Sequence, residues 1–527
     1  MSVLVWMAAS ECGPLAQTGG LADVVRALPP ALVRRGFRVR RFIPGYGSID
    51  RSSFRPETEP LPVPLGPARV PVRFLSRTEP DGVVTTLVVA EEMFARDGIY
   101  GPPGGEFPDN PRRFVLLSRA VFELWRRAAA GRPHPAAADG VPGVLHIHDW
   151  HTAAVPLWTR LGAGGGGAGA PRGAAGGAPG AARGAAVGAP ATVLTLHNVG
   201  YQGRCDASAL AWLSLDRETA ARALRPEVLE DHGGLNLLKA GIACADRIAA
   251  VSPTYAREIR TPEGGFGLHE TLRARGDAVT GILNGADYDV WDPRRDPHLP
   301  GPYGPGDPAP KAEAARALRS AFGLPESDRP ILGVVSRLVH QKGIDLVPAA
   351  AKELLEAGAD LAVLGTGEPE IAEALRRLRD ARPDRVGLRL EFSEALAHLV
   401  TAGSDLFLLP SRYEPCGLTQ MHALRYGTIP VARRTGGLAD TIRDETASPG
   451  RGNGFLFDAV AASDLAEAAR RALAFRASAP AAWRDLQMRA MAEDFSWDRA
   501  AGEYEALYRA AEIPKKTRQE SRPHPME

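Results

Sequence analysis

Three things are scarce in this sequence: cysteine, net charge and long apolar runs. Its four cysteines, Cys12, Cys205, Cys244 and Cys416, lie far apart in 527 residues. That spacing excludes a dense disulfide framework and a close pair of metal-ligating thiols. Lys and Arg number 63 against 62 for Asp and Glu, a formal charge of +1. Such a balance provides no global field for nucleic acid or an anionic membrane, while a local cationic pocket for a small anion stays open. No apolar run is long enough to span a bilayer. The opening MSVLVWMAASE has no basic stretch ahead of its apolar run and reads as a strand rather than a secretory signal. The expectation is a soluble cytoplasmic protein with neither nucleic-acid nor membrane partners.

What is present is an α/β rhythm that runs twice. With 44% hydrophobic residues, a chain of this length can bury two sizeable cores. In the first half LVWMAA, FRVRRFIP, VRFLSR, TTLVVAEE, VLHIHDW and TVLTLHN read as strands, with LADVVRALPPALVRRG and VLLSRAVFELWRRAAA as helices between them. Continuous apolar runs of this kind belong to buried parallel strands. Residues 293–310 are dense in Pro and Gly and suit a domain connection. After them PILGVVSRL, LAVLGTG, VGLRLEF, LFLLPSRYE and TIPVARR alternate with helical patterns as a second doubly wound domain. The expected division is 1–300 and 301–490, two Rossmann-like domains facing across a cleft, with a helix at 491–510 packing back on the first and a polar tail at 511–527. Residues 162–190 hold twelve Gly and eleven Ala, too few large side chains to offset ordering entropy, and read as a flexible surface insertion.

Four stretches carry chemically suggestive residues. QTGGLADV (17–24) follows the first strand; its glycines let backbone N–H groups approach an anion at a helix start, although a plain structural turn fits as well. SRLVHQKG (336–343) ends a strand of the second domain, where Arg337 and Lys342 are placed to converge on two phosphates or simply to stay solvated. HIHDWH (146–151) clusters His148, Asp149 and His151 in a loop, with Trp150 anchoring it by burial. Polar contact with a sugar is favoured over a metal there, for want of complementary ligands. Nearby His197 and Asn198 either extend that wall or brace it. In SRYEPCGLTQ (411–420), Thr419 is placed to cap a helix and donate to phosphate, and the N–H groups of Gly417 and Leu418 suit an anion. Glu414 would be repelled by that anion unless something cationic or sugar-like lay between. TGGLAD recurs at 435–440, a second glycine-rich turn of the kind a diphosphate cleft could use.

Taken jointly, TGGLADV, DNPRRF, HDWHTA, LTLHNVGYQG, LNLLKAGI, VSPTYAREI, GILNGADYDVWDP, VVSRLVHQKG, VLGTG, SRYEPCGLTQMHALRYGTIPV, RRTGGLADT and DFSW resemble the bacterial glycogen and plant starch synthases, glycosyltransferase family five. They cover most of residues 1–510 in family order. The resemblance implies a GT-B fold and retaining transfer of glucose from ADP-glucose to the non-reducing 4-OH of an α-1,4-glucan, with release of ADP. It implies no cofactor and no catalytic metal. By motif position Arg337 and Lys342 match phosphate contacts, Glu414 the essential carboxylate and His151 the histidine near the transferred glucose. Gly20, Leu418 and Thr419 match phosphate contacts, with Gly417 beside them; Asp23 matches an acidic donor-site residue, and Phe392 stands where the family often has Tyr, able to stack on adenine. Retention can arise from two inversions through an enzyme-bound intermediate or from same-face attack within an ion pair, and the sequence supplies no clearly placed nucleophile on the opposite face of the sugar. Same-face departure of ADP, with its phosphate as base, therefore follows from the family argument.

Two departures stand out. The family's KTGG is QTGG here, and Gln17 contributes no charge to a donor phosphate, which predicts weaker donor affinity. The Gly/Ala-rich insertion is the other. The alternatives are a UDP-glucose enzyme, one with a small acceptor such as glucose 1-phosphate, and a glucan-binding protein with impaired turnover.

Overall fold

The computed structural model describes residues 2–57, 59–102, 105–161, 189–307 and 310–512. Most of the expected insertion at 162–190 and of the tail at 511–527 lies outside the described residues. The chain forms two compact units. The first comprises Met1–Ala249, Arg273–Val279 and the segment from Ala501 on; the second comprises Ala250–Leu272 and Thr280–Ala500. Both are Rossmann-like α/β units of the GT-B kind. Among the described residues no helix is long and apolar enough to cross a membrane.

The first unit is built on a ten-stranded sheet. At its centre Leu4–Ala8, buried at every position, pairs in parallel with Arg38–Pro44 on one side and Val144–His148 on the other. From there the chain winds outward twice, to Val84–Val89 past Arg38–Pro44 and to Ala191–Leu196 past Val144–His148. The boundary between Leu4–Ala8 and Val144–His148 is thus a topological switch point, where strand C-termini leave a crevice for ligands.

In the second unit six parallel strands run in the order Val386–Arg389, Asp360–Leu364, Ile331–Val335, Leu406–Leu409, Ile429–Arg433 and Phe455–Phe457. Their apolar faces pack with Leu318, Phe322, Val400 and Leu438 into one core. Here the switch lies between Ile331–Val335 and Leu406–Leu409, and the loops leaving those two strands are 336–345 and 410–418.

The units exchange at Ala250, well before the Pro/Gly stretch expected to divide them. The reason is polar: residues 252–258 are tied to the turn and helix at 415–441. Ser252 Oγ donates to the Pro415 carbonyl at 2.7 Å. Asp440 accepts from the N–H and hydroxyl of Thr254 at 2.7 and 2.6 Å. At the other end the helix Trp497–Glu512 passes back into the first unit, where Tyr508 Oη shares a 2.8 Å hydrogen bond with His146 Nδ1.

Candidate active site

At the second unit's switch point the two loops are stitched together. Gly343 adopts φ +65°, and a Cβ there would lie 1.9 Å from the Pro410 carbonyl oxygen, so only glycine lets the loops meet. Arg412 N–H donates to the Gln341 carbonyl at 2.8 Å, and its guanidinium forks onto Asp345 at 2.6 and 2.8 Å. This stitching carries Lys342 to Glu414. Lys342 Nζ lies 2.6 Å from Glu414 Oε2, which also accepts from Ser411 Oγ at 3.0 Å. The cation that the Glu414 turn required is therefore Lys342 itself. Glu414 is 6% exposed, whereas Arg337 is exposed and its side chain has no hydrogen-bond partner among the described residues. Of the two cations, Lys342 is paired with Glu414 and Arg337 is open to solvent.

Beyond Glu414 the chain turns through Gly417 at φ +72°. No acceptor among the described residues takes the N–H of Gly417 or Leu418. The following helix, Thr419–Arg425, has Leu418 as its N-cap and no side-chain cap bond. Thr419 is thus the first helical residue and not the cap expected of it, which leaves its hydroxyl without a partner among the described residues. Phe392 stands 92% exposed, with no aromatic ring packed on it among the described residues.

The two TGG turns are not the open anion seats that their glycines suggest. In the first unit Glu11, 4% exposed, accepts from Thr18 N at 2.7 Å, Thr18 Oγ1 at 2.8 Å and Gly19 N at 3.1 Å; Tyr100 Oη donates to it at 2.5 Å. In the second unit Glu258 accepts from Thr435 Oγ1 at 3.1 Å and Gly436 N at 2.9 Å. Each helix end thus holds an internal carboxylate, the charge its N–H groups favour. Gly20 is exposed at the helix start. Asp23 accepts from Gln17 Nε2 at 3.3 Å and lies 3.9 Å from Arg26.

The HIHDWH segment sits at the first unit's switch point. His148 ends its strand fully buried rather than in the loop. His148 Nδ1 meets His197 Nε2 at 2.9 Å, and His146 Nε2 meets Thr195 Oγ1 at 2.7 Å. Asp149 turns the chain at φ +51° and accepts from the backbone N–H of His197 and Asn198 at 2.7 and 3.4 Å. Burial raises its carboxyl to about 7 against those bonds. Trp150 is buried with Gly203 against its ring. His151 stacks on Tyr100 at 5.1 Å and meets Phe114 edge-on at 4.6 Å. Burial, with His197 and Arg113 adding, holds His151 down at about 3. It is a neutral ring, and its Nδ1 is buried with no hydrogen-bond partner among the described residues.

Glu11, Tyr100, Glu258, Ser411 and Asn284 were not singled out from the sequence. Asn284 lies beside Cys416, and its Oδ1 is buried without a partner among the described residues. Its position before Gly285 in GILNGAD was the available signal. For Glu11 and Glu258 there was none, since an acid paired with a distant N–H looks like any surface acid.

Two Rossmann-like units, each with polar side chains gathered at its sheet's switch point, have the architecture of the GT-B class of glycosyltransferases. Residues 4–165 and 180–274 match the starch synthase catalytic domain, and residues 318–484 match the group 1 glycosyl transferases. A glycogen synthase of Anaeromyxobacter sp. (strain Fw109-5) is 43% identical over 510 residues, 96% of this chain and 99% of that protein. Another from Alkalilimnicola ehrlichii is 42% identical over 515 residues, 95% of this chain and 97% of that one. The catalytic domain of starch synthase IV from Arabidopsis thaliana, solved bound to ADP and acarbose, has a TM-score of 0.84 at 34% identity, covering 97% of this chain and 100% of that one. A sucrose-phosphate synthase from Thermosynechococcus elongatus, at 19% identity and a TM-score of 0.55, shares the fold alone. The chain belongs to the glycogen and starch synthase family.

Proposed function

We propose that this chain transfers glucose from ADP-glucose to the non-reducing 4-OH of an α-1,4-glucan with retention of configuration, releasing ADP. The observation that carries the reading is the 2.6 Å contact of Lys342 with the buried Glu414, next to the Gly417 and Leu418 N–H groups that no acceptor among the described residues takes. In this reading the donor diphosphate takes the N–H groups of Gly417 and Leu418, with Thr419 Oγ1 alongside. Lys342 turns from Glu414 toward the phosphate, and exposed Arg337 adds a second cation. Charge growing on the leaving diphosphate is stabilised by these groups. Glu414, released from its partner, orients sugar hydroxyls and stabilises positive charge at the anomeric carbon. The bond from that carbon to the ADP oxygen breaks as the acceptor 4-OH bonds to the same face, and the leaving phosphate takes the acceptor proton. The neutral His151 hydrogen-bonds the transferred glucose, and Phe392 offers its face to adenine. The relatives' shared description as glycogen synthases supports a glucan acceptor, and the starch synthase solved with ADP supports an adenine nucleotide.

The test is nucleotide release when purified protein receives ADP-glucose or UDP-glucose with glycogen, maltose or glucose 1-phosphate. ADP release with glycogen, lost in Glu414→Ala while folding persists, is the expected result. Full turnover in Glu414→Ala, or release of UDP in preference to ADP, would reject the assignment.

A further inference from the structure

The segment after Asp292 and the start of the helix Glu394–Gly403 bring a different constellation together. His298, Glu394 and His398 each offer one ligand atom, and all three atoms lie within 4.8 Å of one another. The two nitrogens of His398, a residue 1% exposed, have different surroundings. Nδ1 lies 2.7 Å from Asp296 Oδ2, while Nε2 is buried with no hydrogen-bond partner among the described residues. Buried ring nitrogens ordinarily find a partner. Tyr426 Oη donates to the same Asp296 oxygen at 2.6 Å and so helps hold that carboxylate against the ring. A carboxylate oxygen accepting at Nδ1 leaves Nε2 as the nitrogen free to ligate, the arrangement that orients metal-ligating histidines. Trp291 stacks on the imidazole at 3.7 Å and 9°, and so fixes its plane.

We propose that His298, Glu394 and His398 bind one divalent transition-metal ion of the zinc class, with Asp296 orienting His398 and a further coordination position open to water. Two imidazoles and one carboxylate suit Zn²⁺ or Co²⁺ better than Mg²⁺ or Ca²⁺, which prefer all-oxygen sets. A tetrahedral ion holds its ligand atoms roughly 3.4 Å apart. His298 and Glu394, both exposed, have the side-chain freedom to close that gap, while His398 is already set. The charges of Glu394 and Asp296 together match that of the ion. Bound there, the metal fastens the Pro-containing strap at 293–299 to the helix that starts two residues after Phe392.

The test uses the full chain stripped with a chelator and titrated with Co²⁺ alone, followed by its visible d–d absorption, with Zn²⁺ then displacing it. One equivalent is expected to bind. His298→Ala and Glu394→Gln, both at exposed side chains, should each weaken binding by roughly tenfold or more. A circular dichroism spectrum and melting profile check that both variants are folded. Absence of saturable binding, or unchanged affinity in both folded variants, would overturn the proposal.

Discussion

Removing Lys342 should cost more than neutralising Glu414, although they form one ion pair. The Glu414 side chain is 7% exposed and that of Lys342 is 23% exposed, so the two single variants leave different orphans. Lys342→Met strands a buried carboxylate with Ser411 Oγ as its remaining side-chain donor. Fully buried pairs lose about 3–5 kcal/mol when one partner is removed, and exposed pairs about 0–1 kcal/mol. With Lys342 partly solvated and Ser411 retained, about 2 kcal/mol is expected. That corresponds to a fall of roughly 4–8 °C in Tm for a unit of this size. Glu414→Gln leaves an ammonium that can turn to water and an amide that still accepts a hydrogen bond, so about 1 kcal/mol or less is expected. The double variant should melt above Lys342→Met, because the uncompensated charge is gone. Differential scanning calorimetry of the full chain and both singles and the double gives the order directly. A Glu414→Gln protein that melts as low as Lys342→Met, or a double variant showing the sum of the two losses, would refute this account of the pair.

The two TGG turns should respond oppositely to alanine. Gly436 sits at φ +44° with a would-be Cβ 1.8 Å from the Glu414 carbonyl oxygen, whereas Gly19 is extended and its Cβ would meet nothing within 4 Å. Gly436→Ala should therefore displace the Glu414 turn, costing about 2 kcal/mol or more and most of the turnover, while Gly19→Ala stays within about 0.5 kcal/mol; thermal melts and initial rates of both variants decide it. Gln17→Lys should lower the donor KM by adding a cation beside Asp23, and an unchanged KM counts against any part for position 17 in donor binding. The first unit should lose stability in acid. Burial holds His146, His151 and His197 at about 3 and His148 well below its ordinary value, so their contribution is present at neutral pH and lost as pH falls from about 6.5. Asp149, raised to about 7 by burial, works the other way over the same window. Four histidines against one aspartate leave a net uptake of about three protons on unfolding near pH 5. A Tm that does not fall between pH 7 and 5 would contradict that balance.

The strands were legible because a buried parallel strand is a continuous apolar run: LVWMA, VLHIH, ILGVV and LFLL all fall where their composition places them. The local glycines were legible too, but not what they meet. Gly343 and Gly436 are fixed by carbonyls at Pro410 and Glu414, many residues away in the chain. For the same reason the contact of Lys342 with Glu414, 72 positions on, is not legible in SRLVHQKG. Thr419 has the right residue type for a cap, but the turn at Gly417 makes Leu418 the N-cap instead. The units exchange elsewhere than at 293–310 because Pro and Gly mark only where a chain can turn. Ser252, Thr254 and Glu258 mark where this one is held, and their partners lie beyond residue 414.

The chain passes from one unit to the other at Ala249/Ala250, Leu272/Arg273, Val279/Thr280 and Ala500/Ala501. No single cut can release either half intact. A fragment ending near residue 300 would carry the 252–258 segment stripped of Pro415 and Asp440, and would forfeit the Tyr508 phenol that sits on His146. Anyone expressing the halves from such a cut would have to graft residues 501–512 onto the first and supply both 250–272 and 280–300 to the second.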